Sequence, residues 1–165
     1  MNMETQYEYG SRCGVWRILR LFEEFRLKFT CFAVGRAVER YAHPIVRMHE
    51  LGHEVASHNH RWIDYLPLSP AVETQHIKDC IKALKKCHPQ NKAPVGWYTG
   101  RISPNSRQLV LDVYKEMGEE LLYDCDAYND DLPYWIDVER DGRKVGHLVL
   151  SYTLDQNDMK FCVVR

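Results

Sequence analysis

His58 and its neighbours are the first residues whose types and spacing could do chemistry. From Leu51 to Tyr65 the chain gathers His53, His58 and His60, Glu54 and Asp64, Trp62 and Tyr65 around the small, β-branched run Val55-Ala56-Ser57. Imidazoles change charge near neutrality, so they can move a proton or ligate a metal. His58 and His60 are two apart and share a side if the backbone stays extended, which would let them hold zinc. A hydrolytic zinc takes three protein ligands plus water, and no acidic third ligand is placed by spacing. His58 is therefore read as the central imidazole, with zinc on His58 and His60 as an alternative and His53 serving the fold beside Glu54.

A second cluster follows at Asp124-Cys125-Asp126-Ala127-Tyr128-Asn129-Asp130-Asp131. Carboxylates held close raise one another's pKa, so Asp126, Asp130 or Asp131 could exchange a proton near neutrality. The alternative is that Asp130 or Asp131 merely accepts backbone N–H groups in a solvated loop. Between the clusters stand Tyr98 and Arg101, the latter a fixed fork of donors suited to a carbonyl or a carboxylate, or to an ion pair with a loop acid. Trp62, Trp97 and Trp135 could wall a pocket or belong to the core. The candidate catalytic residues are thus His58, Asp126, Asp130 and Asp131, and the candidate substrate-binding residues Trp62, Tyr98, Arg101 and Trp135.

Positioning them requires elements that end where the clusters begin. A polar loop over residues 1–14 precedes a helix from Val15 to Phe25 carrying Ile18, Leu19 and Phe22 at helical spacing. Leu27–Val34 reads as a buried strand, residues 37–41 and 44–51 as short helices with Gly52 as a stop, and His53–Ser57 as the second strand. Ser69 with Pro70 caps a helix to Cys87 whose inner face carries Val72, Ile77, Ile81 and Leu84. Pro94–Tyr98 is a third strand, Ser103-Pro104 opens a helix that Gly118 stops, and Leu121–Tyr123 is a fourth strand. Asp141-Gly142 signals a hairpin between residues 134–138 and 144–153, and 160–164 reads as a last strand. The alternation predicts an α/β fold, one domain over 1–165, with a mostly parallel sheet whose strand C-termini gather the clusters on one face.

Charge narrows the partners. Twenty-two basic and 23 acidic residues nearly cancel, and no basic run offers a phosphate stripe, so no nucleic acid is expected. No apolar run approaches the roughly 20 residues that span a bilayer, and no charged-then-apolar leader opens the chain, so no membrane is expected either. Six cysteines without a Cys-x-x-Cys pair point to a reduced, cytoplasmic setting. The sheet would have open edges at both ends, which predicts a fragment truncated at both ends or a homo-oligomer that supplies the missing strands.

The segments Tyr7-Glu8-Tyr9-Gly10-Ser11-Arg12, Gly52-His53-Glu54-Val55-Ala56-Ser57-His58, Arg61-Trp62-Ile63-Asp64-Tyr65, Gly96-Trp97-Tyr98-Thr99-Gly100-Arg101, Ser103-Pro104-Asn105, Asp130-Asp131-Leu132-Pro133-Tyr134-Trp135 and Tyr152-Thr153-Leu154-Asp155 together resemble the polysaccharide deacetylase (NodB-homology) family, nearest to its metal-independent allantoinase branch. The resemblance implies a partial, distorted (β/α) barrel that hydrolyses carbon–nitrogen bonds other than peptide bonds, here the ring amide of a small ureide. The alternatives are N-deacetylation of chitin or peptidoglycan, and a truncated, non-catalytic fragment or subunit. Metal-dependent members carry an early acidic motif and then His, a hydroxyl residue, two variable positions and a second His. Here His58 matches the first His, Asn59 the hydroxyl position, and Trp62 stands in place of the second His. The acidic motif and the family's late His motif have no match in this chain. The resemblance therefore implies no cofactor, with zinc as the alternative.

Overall fold

The computed structural model describes residues 4–140 and 142–153. Helices α1 (Glu4–Tyr9) and α2 (Val15–Glu24) are joined by a π-helical turn over Gly10–Gly14. There follow β1 (Thr30–Ala33), α3 (Gly35–Arg40), α4 (Ala42–Glu50), β2 (Glu54–Ser57), α5 (Pro70–Cys87), β3 (Gly96–Trp97), α6 (Ser106–Met117), β4 (Tyr123–Asp124), β5 (Tyr134–Arg140) and β6 (Arg143–Val149). One sheet runs in the order β1-β2-β3-β4-β6-β5. Its neighbours pair in parallel from β1 through β4 to β6, and β5 pairs antiparallel with β6. The mostly parallel α/β architecture is the expected one, and β1 and β5 are the edge strands among the described residues.

The longest helices explain themselves from their sequences. Ser69 accepts from the Val72 amide through its hydroxyl, and Pro70 supplies the first turn of α5. Ile77, Cys80, Ile81 and Leu84, at three- and four-residue spacing, then line the face buried against the sheet. In α6 the buried stripe is Val110, Leu111, Val113 and Tyr114, and Gly118 ends the helix at φ +66°, a conformation that costs glycine nothing. The Tyr114 hydroxyl donates to the Pro94 carbonyl at 2.7 Å, tying α6 to the entry of β3.

Four expectations are corrected. Residues 4–14 are helical rather than a loop, because Gly14 adopts ordinary right-handed angles and the turn passes through it. On α2 the expected stripe is only partly covered: Leu19 is buried, Val15 packs against the core and Phe22 against Phe29, while Ile18 is half exposed and Phe25, just past the helix, more so. On α5, Val72 is exposed and Glu73 takes the buried place. Ser103-Pro104 precedes α6 instead of opening it, since Ser103 is committed to Glu73 and the helix starts at Ser106. The hairpin forms, paired from Tyr134 with Val149 to Arg140 with Arg143. Asp141 of its turn, the Tyr7 side chain, Leu154-Asp155 and the expected strand at 160–164 lie outside the described residues. Cys13, Cys31, Cys80, Cys87 and Cys125 are free thiols.

Candidate active site

β2 ends at Ser57, and His58 is the first side chain beyond it. Its Nδ1 lies 2.9 Å from the Tyr98 carbonyl oxygen, and its ring stacks on the Tyr98 ring at 4.9 Å between centroids. A carbonyl can only accept, so Nδ1 carries the proton and Nε2 is left with its lone pair. No hydrogen bond to Nε2 is made among the described residues. Burial lowers the His58 pKa, with the Tyr98 carbonyl acting the other way, so the ring is neutral at pH 7 and able to accept a proton.

Extended backbone does not continue to His60. Asn59 turns to φ +56°, its carbonyl accepting from the Gly35 amide at 2.9 Å and that of His60 accepting from Arg36 at 2.8 Å. His60 is thereby carried to Glu39, 3.2 Å from its Nε2, and to His76, 5.6 Å away between rings. The pairing of His58 with His60 on one side is therefore corrected.

Asp126, two residues past β4, places its carboxyl beneath the loop that follows β3. Both its oxygens accept from the Thr99 amide, at 2.9 and 3.0 Å, and Oδ1 also accepts from Gly100 N at 2.8 Å. Burial pushes its pKa up to about 6 despite the opposing pull of the Gly100 and Thr99 amides. Gly100 joins the two groups. It stands at φ +79°, and a Cβ there would come within 3.0 Å of His58 Cε1. One peptide unit thus separates imidazole and carboxyl. Tyr128 closes the other side: its hydroxyl donates to the Gly100 carbonyl at 3.2 Å and meets the Tyr98 hydroxyl at 2.9 Å. Tyr152 stacks on Tyr98 at 5.2 Å.

The remaining candidates fall elsewhere. Trp62 and Arg101 meet each other, the guanidinium 4.8 Å over the indole, and both are exposed. Neither hydrogen-bonds to His58 or Asp126 among the described residues. Asp130 and Asp131 are exposed, and Asp130 accepts from the Leu132 amide at 3.0 Å in a local turn. Trp135, 69% exposed on β5, lies across Gly146. Trp97 is fully buried, its Nε1 donating to the Thr99 hydroxyl at 2.9 Å, and belongs to the core. His53 is buried and stacked on Phe29 at 4.0 Å, a place in the fold.

Several residues escaped the reading of the sequence. Asp124 and His147, both buried, join the half-buried Arg107 in one hydrogen-bonded group beneath Asp126, and Tyr128 and Tyr152 complete the aromatic wall. Asp124 and His147 are joined only because β4 pairs with β6, and no local spacing announces it. Tyr128 stood in the acid-rich loop and Tyr152 in a motif segment, but neither carried distinguishing chemistry.

The donor set does not suit zinc within the described residues. His58 offers one free nitrogen, His60 points elsewhere, and an indole cannot ligate. No group of three His, Cys, Asp or Glu side chains is placed to hold a metal ion among the described residues.

Known proteins bear on this geometry. The polysaccharide deacetylase family model matches residues 4–118. A Schizosaccharomyces pombe protein assigned to the polysaccharide deacetylases is 47% identical over 98% of this chain and 52% of its own length. The crystal structure of PuuE allantoinase superposes with a TM-score of 0.85 at 48% identity, covering 99% of this chain and 51% of that one. A family 4 acetyl xylan esterase from Clostridium thermocellum, solved with a cobalt ion, matches at a TM-score of 0.51 and 25% identity, over 57% of this chain and 46% of its own. The chain spans about half the length of the curated relatives it matches. Its sheet corresponds to part of the (β/α) barrel of its structural neighbours and is not closed among the described residues.

Proposed function

The chain belongs to the polysaccharide deacetylase family, and from that premise we propose that it contributes His58 and Asp126 to a hydrolase that opens the ring amide of a small ureide, as an allantoinase does. The observation that carries this reading is the His58 tautomer: with Nδ1–H held by the Tyr98 carbonyl, Nε2 is the nitrogen that receives a proton from water attacking the amide carbon. Asp126, one peptide away, holds a second exchangeable proton site near neutrality. The 48% identity to PuuE allantoinase supports the ureide. No step is routed through a metal, because His58 supplies a single ligand here.

The test is allantoin consumption by the purified protein, with and without a chelator. Turnover that survives the chelator is expected, and turnover lost with metal removal and restored by zinc or cobalt would overturn the metal-free mechanism.

A second reading is N-deacetylation of a chitin- or peptidoglycan-type polysaccharide, favoured by the family match itself. Acetate release from chitin oligomers with no allantoin consumption would establish it. A third is that the chain acts as a subunit, and the exposed Ile18, Leu21 and Phe25 together with the β1 edge support its self-association. Sedimentation showing a stable monomer would remove that reading. The free thiols fit a reducing, cytoplasmic setting.

A further inference from the structure

Asp124 and Asp126 are two residues apart but hold opposite positions in one network. The Asp124 carboxylate is surrounded. Its Oδ2 accepts from Arg107 Nε at 2.8 Å and from His147 Nε2 at 2.8 Å, and its Oδ1 from Arg107 Nη2 at 3.1 Å and from the backbone amide of Asp126 at 2.9 Å. A carboxylate has about four lone-pair sites, so these contacts saturate it. Since it only accepts, His147 must carry its proton on Nε2. Arg107 Nη2 also donates to the Asp126 carbonyl at 3.1 Å. Both peptide groups of Asp126 are therefore gripped, the N–H by Asp124 and the C=O by Arg107, while its side chain is turned the other way, onto Thr99 and Gly100.

We propose that Arg107, Asp124 and His147 are positioning residues that fix the backbone of Asp126, and through it aim the Asp126 carboxyl at the Thr99 and Gly100 amides beside His58. The three come from α6, the end of β4 and β6, so the aim of one carboxyl depends on three separate elements. His147 stands furthest from the site and acts through Asp124. Its contribution is the N–H that keeps Oδ2 in place while Oδ1 holds the Asp126 amide. The inference rests on the reading of Asp126 as a proton-exchanging group, but its geometry does not require turnover. The ionisable groups that face Asp126 are Asp124 and Arg107 from below, the neighbouring Cys125 thiol, and Tyr98 from the wall.

The test is an NMR titration that needs no substrate. In the native protein the amide signals of Thr99 and Gly100 should move together with pH, reporting one carboxyl midpoint. In H147F, which keeps a ring but removes the donor, and in R107K, which keeps the charge but replaces the fixed fork of Nε and Nη2 by a single nitrogen, the two amides should lose that common midpoint. They should move apart by about half a pH unit or more or lose most of their amplitude. The Val72 amide signal, on α5 and held by Ser69, should stay unchanged. H147Q, which offers an amide donor, should restore the native pattern. Native midpoints and amplitudes in a folded H147F or R107K would overturn the proposal, as would an H147Q variant no closer to native than H147F. If H147F does not fold, R107K decides alone; if R107K also fails, loss of the shared midpoint in D124N is the expected result and its retention the contrary one. A protein that turns over no allantoin yet shows these shifts keeps the positioning role and loses the catalytic reading. Turnover with unshifted amides does the reverse.

Discussion

The His58 ring lies at 16° to the Tyr98 ring while its Nδ1 bonds the carbonyl of that same residue. One residue thus fixes both the plane and the tautomer of the imidazole, which is what a base needs if its free nitrogen is to face water.

The first prediction follows from that pairing. H58Q should lower allantoin turnover by about a hundredfold or more, the usual weight of a positioned base. Its folding stability should stay within about 1 kcal/mol of native, because the ring is only partly buried. Since burial lowers the His58 pKa, turnover should fall only once the pH drops below the ordinary imidazole range. A pH–rate profile with its acid limb above pH 6.5 would contradict this assignment.

Gly100 supplies the second. At φ +79°, and with His58 Cε1 3.0 Å from where a Cβ would stand, G100A should cost about 1–3 kcal/mol of backbone strain and should displace the imidazole. Urea denaturation reads the first effect and turnover the second. A variant with native stability and native rate would show that the close approach is not needed.

The third concerns pH and stability. Burial raises the Asp126 pKa to about 6, so the folded state holds this proton more tightly than the unfolded chain. Its contribution is present at low pH and declines as the pH climbs from the ordinary carboxylate range to about 6. Asp124 behaves oppositely. Burial alone would raise it, yet the His147 and Arg107 hydrogen bonds outweigh burial and lower it. Its stabilisation is present above the unfolded carboxylate pKa and is lost as the pH falls through the folded one. D126N should therefore gain stability relative to native between about pH 4 and pH 6, and chemical denaturation at pH 4.5 and 7.5 measures the difference. A pH-independent gap between the two proteins would refute it.

The fourth concerns Glu73. Fully buried on α5, it accepts from the hydroxyls of Ser103, at 2.7 Å, and Ser106, and so fastens α5 to the start of α6. E73A should strand those hydroxyls and cost about 2–4 kcal/mol, whereas V72A on the exposed neighbouring position should change stability by about 0.5 kcal/mol or less. Comparable losses in both would mean that the helix face has been misjudged.

Patterns of period and punctuation carried much of this architecture. Ser69-Pro70 and Gly118 mark the bounds of α5 and α6 because caps and stops are local chemistry. The strands were recognisable as short apolar runs, although β1 to β4 are each briefer than their runs and β5 extends past its own, to Arg140. Residues 4–14 misled because glycine permits a break without forcing one. Glu73 misled because a buried carboxylate is invisible until its two hydroxyl partners, thirty or more residues away, are folded against it.

Local residue order alone determined that His58 stands at a strand end, that Asp126 lies in an acid-rich loop, and that the chain is of the α/β kind. Tertiary structure decided which of these residues meet. It turned His60 away at Asn59, left Asp130, Asp131 and Trp135 in solvent, and brought His147 under Asp124 through the pairing of β6 with β4. The reason is that helix and strand signals act over a few residues, whereas a polar group's protonation and aim are set by whichever neighbours the sheet register delivers from far along the chain.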